Sequence, residues 1–165
     1  MGPLKRPAAA RARGFNLGFT LLELLVVLVI VGLTLGMVSF NAMPSEQQVL
    51  QNEAQRIALL LQLARDEAIV RNRPIAFEAG SESYRFLIRD NNAWQVLQQD
   101  EQLRERSFKR PPLMVAIDPP LPPVGGALRI VLGREPVDKP FVLTLASGDA
   151  RVTIRADGIG HFAVE

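Results

Sequence analysis

The sequence of 165 residues has no cysteine, and it has only one histidine, one tryptophan and one tyrosine. Without cysteine, the chain forms neither a disulfide bond nor a thiolate metal site. No Gly-x-Ser-x-Gly or phosphate-loop pattern occurs, and His161 has no paired nucleophile. We therefore predict no catalytic residues, no metal site and no cofactor, and we expect His161 to be a packed or exposed side chain. The sequence is interpreted as that of a protein that is not an enzyme.

Acidic residues are absent from residues 1–18, which carry four cations. The other 15 Lys and Arg residues share the rest of the chain with all 17 Asp and Glu residues, so the net charge of +2 is a basic leader at +4 and a remainder at −2. The folded part therefore has no excess of positive charge that would indicate a polyanion-binding surface, and nucleic acid is not an expected partner. One local cationic cluster is interpreted as a solvated loop or edge strand, and it consists of Arg104, Arg106, Lys109 and Arg110.

Charge is also nearly absent from residues 19–43, where Glu23 is the single ionisable side chain. A helix of this length spans about 37 Å, which is enough to cross a hydrocarbon core of about 30 Å. We therefore predict a transmembrane helix over residues 19–43. Four cations precede it and none follows until Arg56, so the positive-inside rule places the N-terminus in the cytoplasm. The chain beyond Met43 would then lie across the membrane.

Two other interpretations of this apolar segment are a buried core helix and a cleaved signal peptide. A helix that is apolar on every side needs a larger protein around it than this chain provides. A signal peptide usually has a shorter apolar run, and the stretch from Ser39 to Ala42 is a poor small-x-small cleavage site. The membrane helix is the favoured interpretation.

Residues 44–73 are predicted to continue the helix with a single apolar face. Pro44 breaks or kinks the helix, and Ser45 with Gln48 has the form of a capping box, so a helix can restart at once. Apolar side chains then recur at three- and four-residue steps, which is typical of an amphipathic helix, at Leu50, Ala54, Ile57, Leu61, Ala64 and Ala68. Arg73-Pro74 is predicted to end the helix.

Residues 74–165 are predicted to form an antiparallel β domain, which makes the fold class α+β. Turn signals separate seven short runs of apolar and β-branched residues, at 75–77, 84–89, 93–97, 128–132, 141–145, 152–155 and 161–164. A sheet this small buries too little by itself, so we expect the apolar stripe of the preceding helix to cover it. Trp94 and Tyr84 fall in adjacent predicted strands and are interpreted as cross-strand packing.

Six of the twelve prolines fall between Pro111 and Pro123. We interpret this segment as a stiff loop between two halves of the sheet, in which Met114–Ile117 can still pair as an edge strand. A polyproline ligand for a partner protein is the alternative interpretation.

The most specific motif lies at residues 18–23, Gly-Phe-Thr-Leu-Leu-Glu, between the basic leader and the apolar helix. It resembles the signal of type IV pilins and type II secretion pseudopilins. The resemblance implies a pilin-like fold, cleavage between Gly18 and Phe19 by a prepilin peptidase, and N-methylation of Phe19. The new amine would be a counter-ion for Glu23 of an adjoining subunit, and this pairing would fix the axial register of an assembled filament.

Within that family, the size, the many-stranded β domain and the ending GDARVTIRADGIGHFAVE resemble the H-type minor pseudopilin. The C-terminal acids Asp149, Asp157 and Glu165 are scattered, unlike a calcium-binding loop of the major pseudopilin. The presence of Glu23 argues against the large tip pseudopilin, which typically lacks this carboxylate.

The resemblance implies a subunit of the type II protein secretion system with one inner-membrane span and a periplasmic β domain. The subunit would then join the tip of a periplasmic pseudopilus that drives protein export, with its helix packed against neighbouring helices. Its expected partners are the prepilin peptidase, the other major and minor pseudopilins, the inner-membrane assembly platform and the membrane. A minor type IV pilin that acts in pilus assembly or DNA uptake is the alternative.

Overall fold

The computed structural model of the chain describes residues 20–40, 44–135 and 137–165. These residues belong to two compact units, with the boundary between Met43 and Pro44. The described part of the first unit is helix α1 (Leu21–Phe40). The second unit contains helix α2 (Glu46–Val70) and two antiparallel sheets.

Helix α1 begins with a capped turn. The backbone N–H of Glu23 donates to the hydroxyl of Thr20 at 3.2 Å and to its carbonyl at 3.0 Å, which gives one of the free N–H groups of the first turn a partner. No helix within the described residues is long and apolar enough to cross a membrane. The span predicted over residues 19–43 extends beyond the described residues at both ends and stays a prediction.

Helix α2 begins directly after a break at Pro44 and Ser45. The Ser45 hydroxyl accepts a hydrogen bond from the Gln48 N–H at 3.2 Å, as the capping pattern predicted. The helix therefore begins directly after two described residues, Pro44 and Ser45, that are not helical.

Helix α2 ends at Val70, three residues before the predicted end at Arg73. Asn72 adopts a left-handed conformation (φ 52°), which an asparagine tolerates better than most side chains. The N–H of Asn72 donates to the Ile69 carbonyl at 3.2 Å, and that of Arg73 donates to the Ala68 carbonyl at 3.0 Å. This is a Schellman motif, and it ends the helix before the proline does.

The apolar stripe of α2 is buried, as predicted. Its six members are between 0 and 3% exposed, and they are Leu50, Ala54, Ile57, Leu61, Ala64 and Ala68. Glu53 lies among them and is only 2% exposed, which the periodicity did not predict. Arg56, one helical turn later, pairs with one oxygen of this carboxylate and so compensates part of the cost of burying the charge.

The strands form two sheets rather than the single sheet that was predicted. In the first sheet the strand order is β3-β2-β1-β6, with β4 paired to β2, and in the second it is β5-β7-β8-β9. The strands are β1 (Ile75–Ala79), β2 (Ser83–Asp90), β3 (Ala93–Val96), β4 (Arg106–Ser107), β5 (Met114–Asp118), β6 (Leu128–Leu132), β7 (Phe141–Ser147), β8 (Ala150–Ala156) and β9 (Phe162–Val164).

Strand β5 lies at an edge of the second sheet, inside the proline-rich segment, as the sequence allowed. Strand β4 was not predicted, because two residues are too few for an alternating pattern. Strand β9 begins one residue later than predicted, at Phe162.

Helix α2 packs against both sheets, which confirms the α+β prediction with a helix on antiparallel strands. An aromatic cluster lies in this core, with ring centroids of Phe77, Tyr84, Phe86 and Phe108 between 5.4 and 6.4 Å apart. The predicted packing of Trp94 on Tyr84 is wrong. Trp94 pairs with Arg89, which points to the opposite face of the strand from Tyr84.

Candidate functional site

The site predicted from the sequence lies at the start of α1. Gly18 and Phe19, the predicted positions of cleavage and methylation, lie outside the described residues. Glu23 lies in the first turn of α1, where a carboxylate interacts favourably with the positive end of the helix dipole. Within the part of the chain that the structure describes, its carboxylate forms no ion pair.

The surface around Glu23 is apolar on every side of the helix. Leucine, valine and isoleucine side chains between Leu21 and Leu35 are 44 to 82% exposed. Burying one such side chain is worth about 1.5–3 kcal/mol, so a helix of this kind is stable only where lipid or other apolar helices surround it. The described part of α1 therefore presents a continuous apolar surface.

In the second unit, the one histidine of the chain lies in a turn between β8 and β9. His161 is 79% exposed, and its Nδ1 atom lies 2.8 Å from a carboxylate oxygen of Asp157. The other oxygen of Asp157 accepts the backbone N–H groups of Ile159, Gly160 and His161. Partial desolvation raises the pKa of Asp157, but these hydrogen bonds and the imidazole outweigh it and lower the pKa to about 2.

This turn is held to the rest of the unit at Gly158. Gly158 has a φ of +82°, and a Cβ atom there would lie 2.3 Å from the Asp138 carbonyl oxygen. The Asp138 N–H in turn donates to the Gly158 carbonyl at 2.7 Å. Through its hydrogen bonds, Asp157 orders this loop. Within the described residues, no group of three His, Asp or Glu side chains is placed to hold a metal ion.

An apolar cavity of about 160 Å³ lies between the two sheets at their edge strands β5 and β6. Its lining includes Ile117, Pro119, Leu121, Ile130, Val131 and Phe141. Leu121 and Val131 are 43% and 48% exposed, so part of this apolar surface is open to solvent. The sequence did not indicate this cavity, because it depends on the split into two sheets.

The cationic cluster that was considered for DNA binding lies in the segment between β3 and β5. Leu103, Phe108 and Leu113 anchor this segment in the core with exposures of 0, 3 and 5%. The Nη2 atom of Arg106 donates to the carbonyls of Glu101 and Gln102. The cluster is therefore an exposed, anchored loop with one short strand, in agreement with its interpretation from the sequence.

Two family models match the chain. The model of type II transport protein GspH matches residues 53–161, and the prokaryotic N-terminal methylation motif matches residues 11–39. The first match covers most of α2 and all but the last residues of the β domain. The second covers the junction at residues 18–23 and most of α1.

Known proteins agree with these matches. The chain is 35% identical over 85 residues to the type II secretion system protein H of Pseudomonas aeruginosa, and this region is 51% of the chain and 44% of that protein. The fold is similar to the minor pseudopilin EpsH of the Vibrio cholerae type II secretion system (TM-score 0.55, 17% identity, 73% of this chain and 95% of that chain). It is also similar to the solution structure of GspH of E. coli (TM-score 0.56, 18% identity, 73% and 91%).

The matched region therefore spans less than half the length of the Pseudomonas protein, whereas the structural matches span nearly the whole of the solved domains. Because the GspH model alone covers more than half of this chain, and its fold is the one that those structures have, the chain belongs to the family of type II transport protein GspH, with a prokaryotic N-terminal methylation motif ahead of its folded unit.

Proposed function

We propose that this protein is a minor subunit of the periplasmic pseudopilus of a type II secretion system, and that it acts in protein export as a structural component. The observation that carries this proposal is the GspH family match over residues 53–161, adjoining a methylation motif that leads into an exposed apolar helix. The same match favours the secretion role over a type IV pilin that acts in pilus assembly or DNA uptake.

Residues 19–43 anchor the newly made subunit in the inner membrane in a single span. The four cations of residues 1–18 keep the N-terminus in the cytoplasm, and the β domain lies in the periplasm. The exposed leucine and valine side chains of α1 support this anchor, since lipid would cover them.

The prepilin peptidase cleaves between Gly18 and Phe19 and methylates the amino group of Phe19. The motif match over residues 11–39 supports this step. A glycine before the cut leaves no side chain to obstruct a protease cleft. Cleavage removes the +4 leader and leaves a mature chain at −2.

Glu23 then fixes the register of assembly. Its carboxylate is the one acidic group on an otherwise apolar helix surface. A charge in apolar surroundings needs a partner of opposite sign. The amine of Phe19 on an adjoining subunit supplies that partner and sets the axial offset between the two helices.

The other pseudopilins and the inner-membrane assembly platform are the remaining partners, and the subunit takes a place at the filament tip. The apolar stripe of α2 is buried inside the subunit and cannot contact a neighbouring subunit, because its six side chains are at most 3% exposed. The helix surface left for neighbouring subunits is therefore α1, together with the outer side of α2, where Leu59 is 68% exposed.

A deletion strain tests the secretion role. Loss of this protein should leave secreted enzymes folded in the periplasm, and plasmid-borne wild-type protein should restore their export to the medium. Full export without the protein would contradict the proposal.

Mass spectrometry of the mature N-terminus tests the processing step. Gly18→Val should leave the leader uncut, whereas the wild type should begin at methylated Phe19. The chain offers a matched control, because Gly14-Phe15 repeats the same dipeptide four residues earlier. Gly14→Val should leave cleavage unchanged, and a mature terminus other than Phe19 would contradict the assignment.

A further inference from the structure

The outer face of the first sheet, which points away from α2, carries a row of charged side chains across three strands. Glu78 of β1 lies between Arg85 of β2 and Arg129 of β6 in the strand register. Glu78 is only 5% exposed, although it lies on the outer face. Its carboxylate is therefore enclosed by its neighbours on the same face.

The two arginines hold this carboxylate from both sides. The Nε and Nη2 atoms of Arg85 both donate to one oxygen of Glu78, and the same two atoms of Arg129 donate to the other oxygen. Burial raises the pKa of Glu78, but the hydrogen bonds from Arg129 and Arg85 outweigh it and the pKa is lowered. The carboxylate is thus charged, and both guanidinium groups are fixed in position.

The single tryptophan of the chain extends this row. Trp94 of β3 pairs with Arg89 of β2, and the guanidinium carbons of Arg89 and Arg129 lie 5.7 and 5.8 Å from its ring centroid. These are cation–π distances. Ala76 and Leu87 point to the same face and are 0 and 4% exposed, so the face is a packed layer rather than a set of mobile side chains.

We call this layer the arginine face, and it consists of Glu78, Arg85, Arg89, Arg129 and Trp94. Three guanidinium groups against one carboxylate give it a net charge of +2, while the mature chain as a whole carries −2. Glu78 already has four N–H donors on its two oxygens, so it can neutralise no further cation. The side chain of Arg85 is 42% exposed and Arg89 is exposed, which leaves the excess charge at the surface.

The composition and order of the arginine face are those of a binding surface. Tryptophan and arginine are the residues that most often carry the binding energy at protein interfaces. Side chains that are already fixed lose little conformational entropy on binding. Arg89 donates to Asn92 rather than to Glu78, so the pairing of this carboxylate does not account for it.

We propose that the arginine face is a docking surface for a carboxylate-bearing surface of another protein subunit. This inference rests on the proposed function, because a filament built from different subunits supplies such a partner. Charge complementarity calls for an anionic partner, and the surroundings of the Trp94 ring favour an acidic protein over nucleic acid. The Trp94 ring is half-buried with a guanidinium at 5.7 Å and another at 5.8 Å, which restricts the open ring face that base stacking requires.

Trp94 provides the readout, since the full-length protein in detergent has no other tryptophan. Hexaglutamate is the probe, with a neutral glycine–serine peptide and a single-stranded DNA oligonucleotide titrated in parallel. Hexaglutamate should change the Trp94 emission saturably, and the effect should weaken with salt because the contacts are charged. The neutral peptide should have no effect. No response to hexaglutamate at low salt, or a tighter response to DNA, would overturn the proposal.

Variants separate docking from folding. Arg89 does not contact Glu78, and Arg89→Gln should weaken the affinity for hexaglutamate by up to about fivefold, which is the upper end of the range for one exposed charge pair. Arg129→Gln alone would leave one carboxylate oxygen of Glu78 without a partner. It is therefore combined with Glu78→Gln, which removes the charge that needs pairing. Arg104→Gln removes an exposed arginine outside the face and should leave affinity unchanged. Equal effects of Arg89→Gln and Arg104→Gln would mean that net charge, and not this face, is responsible.

A secretion assay distinguishes this inference from the proposed function. A strain with Arg89→Gln should process and methylate the subunit normally and yet secrete less than a strain with Arg104→Gln. Full secretion in the first strain would contradict the docking role alone. Full secretion without the protein would contradict the proposed function itself.

Discussion

Helices α1 and α2 follow each other in the chain, yet the apolar side chains of α1 are exposed and those of α2 are mostly buried. In α1, Leu21 is 82% exposed and Val31 is 44% exposed, and apolar groups surround the axis. In α2, apolar groups are confined to one stripe, and Ile57 and Leu61 are fully buried. The sheets of the same unit cover α2, whereas the cover of α1 has to come from lipid or from other molecules. One helix stabilises the second unit, and the other leaves its apolar surface uncovered, as the proposed anchoring and assembly require.

Leu61 and Leu59 test the stability side of this comparison with one residue type. Leu61→Ala removes a fully buried side chain and should lower the free energy of unfolding of the second unit by about 2–5 kcal/mol. Leu59→Ala, at 68% exposure, should change it by less than about 0.5 kcal/mol. Urea unfolding of the detergent-solubilised chain, followed by Trp94 fluorescence, measures both. Similar losses would mean that α2 has no specific buried stripe.

Leu28 and Leu59 test the other side, because their exposures are nearly equal at 69% and 68%. Leu28→Asp should reduce membrane insertion, since an aspartate at the centre of a membrane helix costs about 2.5–3.5 kcal/mol. Leu59→Asp should leave insertion intact. Membrane fractionation of both variants measures the difference. Normal insertion of Leu28→Asp would remove the distinction between the two exposed leucines.

The first turn of each helix has one acidic residue, and replacing the two residues should have different effects on incorporation into the pseudopilus. Glu23→Ala should allow membrane insertion but reduce incorporation into the pseudopilus, because the register contact is lost. Glu46→Ala, the equivalent change in the first turn of α2, should have little effect on incorporation. Fractionation of sheared filaments followed by immunoblotting compares the two. Equal incorporation of both variants would refute the register role of Glu23.

The Ser45 cap begins α2, and its removal should have a moderate effect on stability. Ser45→Ala removes the acceptor for the Gln48 N–H and should lower the free energy of unfolding by about 1 kcal/mol. Ser81→Ala, at an exposed serine outside the helices, serves as the control. An unchanged urea midpoint for Ser45→Ala would indicate that the break at Pro44 needs no cap.

The smallest expected effect concerns acid stability at the turn that follows β8. The pKa of Asp157 is lowered to about 2 from an ordinary value of 3.8, so its ionised form stabilises the folded state above about pH 4. This contribution should be lost as the pH falls from about 4 to about 2. Asp157→Asn should flatten the pH dependence of the melting temperature in that window, and Asp149→Asn should not.

Sequence patterns predicted most of the second unit because its local signals are strong. The stripe of α2, the cap at Ser45 and the strands at 84–89 and 128–132 depend on periodicity and on short-range hydrogen bonds. The end of α2 was placed three residues late, because Asn72 is a weaker stop signal than the proline that follows. Strand β4 was missed, since it exists only through its pairing with β2.

The sequence by itself determined where this chain is apolar, where it breaks and which motif precedes α1. Those properties follow from residue type and spacing over a few turns, and the match to the N-terminal methylation motif rests on them. Only the tertiary structure decided the split into two sheets, the burial of Glu53 beside Arg56 and the placement of Trp94 on the face away from Tyr84. Each of these depends on which distant strands pair and on which face a side chain then points to, and spacing along the chain does not encode either one.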